Sequence, residues 1–355
     1  MKIVQFVEAF GGGVYTYVKD LCNFIAENTD DKIYLIYSPN RVQFKKELFL
    51  SEINPKVILI ELDIEKEITI KKDISIYKKT KKILKEIEPD IIHLHSSKAS
   101  VLGRIAAFNI VDKNNIFYSP HGYSFLRMDI SILKQKFYKL IEKYSQSIFG
   151  GITIACGDTE YQYAKKIGKS ELVRNGINIE LVEQYYSPVN NDKLTFGIVG
   201  RISPQKNPKL FNSIALHFPQ HQFIWIGDGE LKNEITAPNI KTTGWFFKSE
   251  DVFKELNNID IFLQTSLWEG LPLALLEAMA LRKPIISTNV VGNKDIVVND
   301  KNGYLFESID ELDTLIHNLE NKYFRNNMGD FAYKICLEKF NDKKNFQKLY
   351  KLYKN

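Results

Sequence analysis

The pattern that most constrains this chain is a repeated alternation of short, β-branched apolar runs with helix-length amphipathic segments. A first series comprises Ile3–Val7, Ile33–Tyr37, Val57–Ile60, Ile91–Leu94, Ile116–Tyr118 and Ile152–Ala155. A second comprises Leu194–Val199, Phe223–Ile226, Ile259–Leu263 and Ile285–Ser287. Strands that are apolar throughout, rather than on alternate residues, are buried on both faces, and helices between them require parallel crossovers. At 355 residues the chain also exceeds what one hydrophobic core usually supports. The expected architecture is therefore α/β, with two doubly wound Rossmann-like domains facing across a cleft. The polar stretch 186–192, which contains Pro188, reads as the linker. It separates an N-terminal domain at 1–187 from a C-terminal domain at 193–335. Residues 336–355 read as a lysine-rich helix packing back toward the N-terminal domain.

Composition narrows the class. With 44% hydrophobic and 26% charged residues the chain has the makeup of an ordinary globular protein, not a disordered one. No apolar run approaches the roughly 20 residues that span a bilayer. The opening Met1–Val7 meets Glu8 and Gly11 too soon for a signal peptide and reads as a first strand. Cys22, Cys156 and Cys336 are odd in number and widely spaced, which suits a reduced, cytoplasmic location better than disulfides or zinc. The net charge is only +5, yet residues 71–143 hold fifteen Lys/Arg against seven Asp/Glu. Lys71, Lys72, Lys78, Lys79, Lys81, Lys82 and Lys85 crowd one predicted helix. Lys134, Lys136, Lys139 and Lys143 line another, interleaved with Phe137, Tyr138 and Tyr144. These are either solvated helix faces or a surface attracted to anionic membranes or a phosphorylated acceptor. Nucleic acid is not expected as a partner, because no recognition motif accompanies the charge.

Ligands of open α/β sheets bind at the carboxyl ends of strands, so the polar residues there are the candidates. After the run Ile259–Leu263, a loop carries Ser266, Glu269 and Gly270, and Pro272 opens a helix. Backbone amides near Gly270 and Leu271, together with the helix dipole, make an anion site. Glu277 lies in that helix among Leu275, Leu276, Ala278 and Met279. A carboxylate there is costly unless it accepts hydrogen bonds, either from ligand hydroxyls or within a core ion pair. After Leu194–Val199, Gly200 permits close backbone approach, and Arg201 and Lys206 follow at once. This spacing suits a diphosphate, with Arg as a planar fork and Lys as a point charge; surface ion pairing is the alternative.

These two segments together resemble the retaining, metal-independent glycosyltransferases of the GT-B fold, family 4. Their Glu-x7-Glu signature is present as Glu269 and Glu277, and their upstream Gly-Arg-x4-Lys as Gly200, Arg201 and Lys206. The resemblance extends over nearly the whole chain. It implies that Arg201 and Lys206 hold the diphosphate, Glu277 the ribose hydroxyls and Glu269 the donor-sugar hydroxyls. The loops Gly227–Glu230 and Gly244–Phe246 would shape the nucleobase pocket.

The N-terminal half fits the same expectation. Phe10-Gly-Gly-Gly13-Val14 follows the first strand, and in the family this loop brings a glycine amide to the donor phosphate, with Gly13 the best match. His95, Ser96, Ser97 and Lys98 lie where a strand end enters a helix, a second anion site assigned to the acceptor side. His93 reads as a satisfied strand histidine. His121, in Ser-Pro-His-Gly, matches the family histidine that faces the donor sugar. The implied catalytic set is thus His121, Arg201, Lys206 and Glu269, with no cofactor and no metal, since no Asp-x-Asp pair occurs. The implied activity is hexosyl or N-acetylhexosaminyl transfer from a UDP- rather than GDP-sugar, with retention. The Ser-Ser-Lys after His95 resembles bacterial polysaccharide-assembly members, which points to a glycan or lipid-diphosphate-linked acceptor at the inner membrane face. The resemblance also implies front-face attack, with the leaving phosphate taking the acceptor proton, and no carboxylate nucleophile stands out on the N-terminal strand ends. A glycosyl phosphorylase on the same fold and a non-catalytic subunit of a membrane assembly complex remain alternatives.

Overall fold

The computed structural model describes residues 1–41, 44–65 and 69–355. It divides into two compact units. One comprises Met1–Leu126, Ile130–Asn175 and Lys343–Asn355, the other Arg127–Asp129 and Gly176–Asp342.

The first unit is built on seven parallel strands: β1 Lys2–Val7, β2 Lys32–Tyr37, β3 Ile58–Glu61, β4 Ile91–His95, β5 Ile116–Ser119, β6 Ile152–Ala155 and β7 Ser170–Leu172. Their order is β3-β2-β1-β4-β5-β6-β7, so the direction of winding reverses between β1 and β4. Alternation along β1 shows why both faces must be apolar. Ile3 and Val7 join Val18, Leu21 and Ile25 of the Gly12–Asn28 helix, while Val4 and Phe6 join Leu94, Leu102 and Ala106 on the opposite face.

The second unit has six parallel strands: β8 Thr195–Val199, β9 Gln222–Ile226, β10 Ile240–Thr242, β11 Ile261–Gln264, β12 Ile285–Thr288 and β13 Gly303–Phe306. Their order, β10-β9-β8-β11-β12-β13, repeats the reversal, now between β8 and β11. Phe196, Ile198, Phe211, Phe223, Trp225 and Ile261 form the centre of its core. The architecture is the GT-B fold, two Rossmann-like α/β domains.

The sequence pattern passed over β7 and β10. Each is three residues long and lies at a sheet edge, where a Ser-Glu-Leu or Ile-Lys-Thr segment is covered on fewer sides and carries no apolar run.

The division between units also differs from the expected linker at 186–192. Apart from the short excursion Arg127–Asp129, the chain passes between units at Asn175–Gly176 and again at Asp342–Lys343. The stretch taken as a linker belongs to the second unit, because the Ser187 amide donates to Asn257 (3.2 Å) and the Asn191 side chain donates to Asp260 (2.9 Å). At the crossing, Gly176 lies so close to the Asn341–Asp342 backbone that a Cβ would sit 2.6 Å from the Asp342 nitrogen.

Nor is 336–355 one helix. Cys336 closes the Lys322–Lys339 helix in the second unit, and a separate helix runs Asp342–Tyr353. From this last helix Phe346, Leu349 and Tyr353 insert into the core of the first unit.

Candidate active site

The two reversals in strand order are where an open α/β sheet splays its loops apart and admits a ligand. In the second unit the loops concerned follow β8 and β11. They carry Gly200 to Lys206 and Thr265 to Gly270.

Glu269 is the hub. Its Oε1 accepts from Lys206 Nζ at 2.8 Å, Ser266 Oγ at 2.7 Å and Gln264 Nε2 at 3.0 Å, and its Oε2 accepts from Gln205 Nε2 at 3.2 Å. The pair is well covered, with the Lys206 and Glu269 side chains only 13% and 8% exposed. A charge so enclosed is stable only when paired and hydrogen-bonded, and here both conditions hold. Ser266 does not face a ligand with its hydroxyl; it orients Glu269. Its own carbonyl is held by Thr288 Oγ1 at 2.6 Å. Arg201 is different. It is exposed and makes no ion pair among the described residues.

Backbone closeness frames these side chains. Gly200, at φ 138°, accepts a hydrogen bond from the Trp225 indole through its carbonyl (2.9 Å), and a Cβ on Gly200 would lie 2.9 Å from Lys206 Cε. Gly292 packs as closely against the Gly270 carbonyl and the Glu269 Cβ. The helix Leu273–Ala280 begins one residue after Pro272, which serves as its N-cap rather than lying inside its first turn. Leu271 is buried, and Gly270 is partly accessible. Glu277, on the helix, remains half-buried while Leu275, Leu276, Ala278 and Met279 are fully covered. After β9 and β10, the loops with Asp228 and Gly244 lie side by side: Gly227 N donates to Thr243 Oγ1 at 3.2 Å.

In the first unit the corresponding loops follow β1 and β4, with β5 adjacent. Gly12 and Gly13 are exposed at the start of the Gly12–Asn28 helix. Two non-glycine residues hold left-handed backbone here, Ser96 at φ 79° and His121 at φ 53°. Such conformations persist where the surroundings impose them, and they concentrate at functional loops. The Glu160 carboxylate imposes one of them by accepting from Gly122 N at 2.9 Å and Cys156 N at 2.7 Å. His121 and His95 stack, 5.3 Å between centroids, with His121 Nε2 3.0 Å from His95 Nδ1. Desolvation keeps both imidazoles neutral. It lowers His121 to about 4, although the residue as a whole is only partly buried, and holds His95 well below its usual value.

Residues 11–181 match the family described as Glycosyltransferase Family 4, and residues 185–335 match Glycosyl transferases group 1. Over 279 residues the chain is 31% identical to the UDP-Gal:alpha-D-GlcNAc-diphosphoundecaprenol alpha-1,3-galactosyltransferase of Escherichia coli, covering 69% of this chain and 68% of that relative. This chain belongs to the family 4 glycosyltransferases. The glycosyltransferase is also 26% identical to the O-antigen biosynthesis glycosyltransferase WbnH of Escherichia coli, over 90% of this chain and 92% of the relative. In fold it is similar to sucrose-phosphate synthase from Thermosynechococcus elongatus (TM-score 0.82, 16% identity, 99% of this chain and 98% of that one). It is similar as well to Anabaena Alr3699/HepE in complex with UDP and glucose (TM-score 0.79, 18% identity, 99% and 98% covered).

Within this glycosyltransferase, the expected anion site at Ser96, Ser97 and Lys98 is not assembled as a cradle. Ser96 Oγ donates to Glu8 at 2.8 Å, Ser97 Oγ donates to the buried Glu142 at 2.8 Å, and Lys98 is paired with Asp73 at 2.8 Å. The side chains that suggested anion binding are spent on protein partners, a contest that local sequence cannot reveal. Sequence reasoning also missed Glu8. It stands just past β1, so a carboxylate is present at an N-terminal strand end, but both its oxygens are engaged, by Arg41 at 2.9 Å and by Ser96. Gln205 and Gln264 were missed too. Their signal was position alone, beside Lys206 and at the end of β11.

Proposed function

We propose that this glycosyltransferase moves one hexosyl or N-acetylhexosaminyl unit from a UDP-sugar to a hydroxyl of a glycan or lipid-diphosphate-linked acceptor in bacterial surface polysaccharide synthesis, with retention at the anomeric carbon. The observation that carries the reading is the polar cluster at the β8/β11 reversal: Arg201, exposed and without an ion pair among the described residues, the covered Lys206–Glu269 pair, and the partly accessible Gly270 just before the Leu273–Ala280 helix. Arg201 and Lys206 bind the diphosphate and stabilise the charge that develops on it as the glycosidic bond breaks. Amides near Gly270 and Leu271 add donors at the helix start. Glu269 receives donor-sugar hydroxyls and Glu277 the ribose hydroxyls. In the first unit Gly13 offers a backbone amide, and His121 contributes a neutral imidazole. Front-face attack, with the departing phosphate taking the acceptor proton, is supported by Glu8: a carboxylate whose two oxygens already accept from Arg41 and Ser96 is a poor nucleophile. The names of the relatives agree with a UDP-sugar and a lipid-diphosphate acceptor.

The test is donor hydrolysis and transfer across a panel of UDP- and GDP-sugars in excess chelator. Turnover of at least one UDP-sugar is expected, undiminished by chelation. Activity that vanishes with chelator and returns with magnesium or manganese would remove the metal-independent reading. Turnover of a GDP-sugar alone would remove the preference for UDP.

The helix Ile132–Phe149 supports a peripheral position at the inner membrane face. Leu133, Phe137, Leu140, Tyr144 and Ile148 are 79%, 57%, 49%, 58% and 64% exposed, and their spacing sets them along one side. Lys134, Lys136, Lys139 and Lys143 flank them, all exposed. Tyr138, expected on this face, instead turns inward against the core. In the Ile70–Ile87 helix the lysines are more committed, Lys72 to Glu65 and Lys82 to Glu86. No helix among the described residues is long and apolar enough to cross a membrane. An apolar stripe edged by lysines lies in a lipid interface, and each lysine near an anionic surface contributes about 1 kcal/mol. Co-sedimentation with anionic vesicles is therefore expected, with little binding to neutral ones, and it should weaken as salt rises. Replacing Leu133 and Phe137 with Ser should reduce it at all salt concentrations. Equal binding to both lipid types, or to neither, would leave this face merely solvated.

A further inference from the structure

Behind His121 a line of hydrogen bonds crosses the first unit and ends far along the chain. His121 Nε2 lies 3.0 Å from His95 Nδ1, and His95 Nε2 lies 2.8 Å from Gln5 Oε1. Gln5 Nε2 donates to the Tyr353 hydroxyl at 3.4 Å, the longest link. The Tyr353 hydroxyl lies 2.5 Å from His93 Nδ1, and His93 Nε2 lies 2.9 Å from Ser119 Oγ. Gln5, His93, His95 and Ser119 are essentially without solvent exposure, and Tyr353 is 4% exposed.

The line has a direction. The three imidazoles are kept neutral by burial, so each carries one N–H and one lone pair. Gln5 presents its carbonyl oxygen to His95, so His95 must donate from Nε2 and accept at Nδ1. His121 must then donate from Nε2, and its Nδ1 carries the lone pair. At the other end Gln5 donates to Tyr353, so the phenol is free to donate to His93, which passes its own N–H to Ser119. Reversing either imidazole between His121 and Gln5 would set two donors or two lone pairs face to face. While the phenol donates to His93 it has only lone pairs left for Gln5, and the line runs the other way only if the Gln5 amide exchanges its nitrogen and oxygen. Nδ1 of His121 has no hydrogen-bond partner among the described residues. The nitrogen of His121 open to a ligand is therefore an acceptor, suited to a hydroxyl and unable to donate to an oxyanion.

We propose that Tyr353, on the Asp342–Tyr353 helix, is a positioning residue for His121. Through Gln5 and His95 it fixes the tautomer in which His121 Nε2 is protonated and Nδ1 accepts from a substrate hydroxyl. The functional half of this proposal rests on the reading of His121 as a reaction residue; the tautomeric half does not. Tyr353 touches no substrate. Its ring also fills the core against Phe117, 4.9 Å between centroids, so the test must separate the hydroxyl from the ring.

The variant Tyr353→Phe keeps the ring and removes only the hydroxyl. Nitrogen-15 NMR of histidine-labelled protein is expected to show His121 with protonated Nε2 in the parent. In Tyr353→Phe a mixture of the two tautomers is expected at His121, with kcat down on the order of tenfold, the worth of one hydrogen bond, and donor KM little changed. Gln5→Met breaks the adjacent link. Because both variants cut one line, the double variant should be no slower than Gln5→Met alone. Parent protein showing His121 with protonated Nδ1 would overturn the direction. Unchanged nitrogen-15 signals and kcat in a folded Tyr353→Phe would overturn the positioning role, as would fully additive losses in the double variant. If Tyr353→Phe does not fold, the parent spectrum and Gln5→Met decide on the same criteria. Full turnover in His121→Ala would instead count against the catalytic reading of His121, while the tautomer measurement would still stand or fall by itself.

Discussion

Lys206→Met is expected to lose both nucleotide binding and stability, whereas Arg201→Ala should lose binding alone. The two cations follow the same strand, but Lys206 is enclosed with Glu269 and Arg201 is exposed. Removing Lys206 leaves a covered carboxylate with only the amides of Gln205 and Gln264 and the Ser266 hydroxyl to satisfy it. Breaking one partner of a buried pair costs about 3–5 kcal/mol. Removing Arg201 strands no charge, because it makes no ion pair among the described residues. Both variants forfeit a charge-assisted contact with the diphosphate, and each should weaken UDP binding by about 1.5–3 kcal/mol. Adding Glu269→Gln to Lys206→Met should restore much of the stability and none of the affinity. Calorimetric titration with UDP and thermal unfolding separate the two effects. Parent-like UDP affinity in both single variants would remove the diphosphate assignment.

Gly227→Ala should be among the most damaging substitutions in the second unit, although it adds one methyl. Gly227 sits at φ 145°, and a Cβ there would fall 2.2 Å from the Gly200 carbonyl oxygen. The obstruction is backbone, so no side chain can swing aside. Relief requires moving the Gly200 turn, and Arg201 and Lys206 move with it. Strain and overpacking of this kind cost about 1–3 kcal/mol each, and the melting temperature should fall together with UDP affinity. Gly244→Ala is the control. Its φ is 79°, yet the nearest atom to its Cβ is Asp228 Oδ2 at 4.0 Å, so it incurs only the left-handed backbone cost. A Gly227→Ala protein that melts with the parent would show that the turn after β8 is not held by this contact.

The fold was legible because parallel strands buried on both faces are mostly apolar, with polar exceptions such as Gln5, His93 and Gln264 too few to break the runs. Ile91–Leu94 and Ile259–Leu263 therefore announce themselves, whereas Ser170–Leu172 and Ile240–Thr242 at the sheet edges do not. The polar site in the second unit was legible for a related reason. Gly200, Arg201, Lys206, Glu269 and Glu277 are charged or small residues directly beyond apolar strands or in an apolar helix, where each demands an explanation. What local reading could not supply was pairing at a distance. Lys98 looked available until Asp73 was folded against it, and Ser97 until Glu142 was. Tyr353 lay in a segment read only as a lysine-rich helix, and nothing local marks Gln5 and His93, more than 250 residues away, as the partners of its hydroxyl. The linker was misplaced for the same reason, since Pro188 and its polar neighbours mark a loop, and only Asn257 and Asp260 decide which unit holds it.

The Lys206–Glu269 pair bears on which of a cell's many anions this enzyme accepts. A bare lysine beside a helix start would capture inorganic phosphate, free nucleotides and any other small oxyanion in proportion to their abundance. Here the ammonium is already neutralised at 2.8 Å within a covered site. A lone phosphate that drew Lys206 away would abandon Glu269 as an enclosed carboxylate short of one partner, with at most its own P–O–H to offer in return. A ligand that brings an oxyanion and a neighbouring set of hydroxyls can satisfy both members at once. If Lys206 holds phosphate and Glu269 sugar hydroxyls as proposed, the pair weighs two chemical features together rather than responding to charge alone, and a sugar attached to the phosphate becomes part of the condition for tight binding.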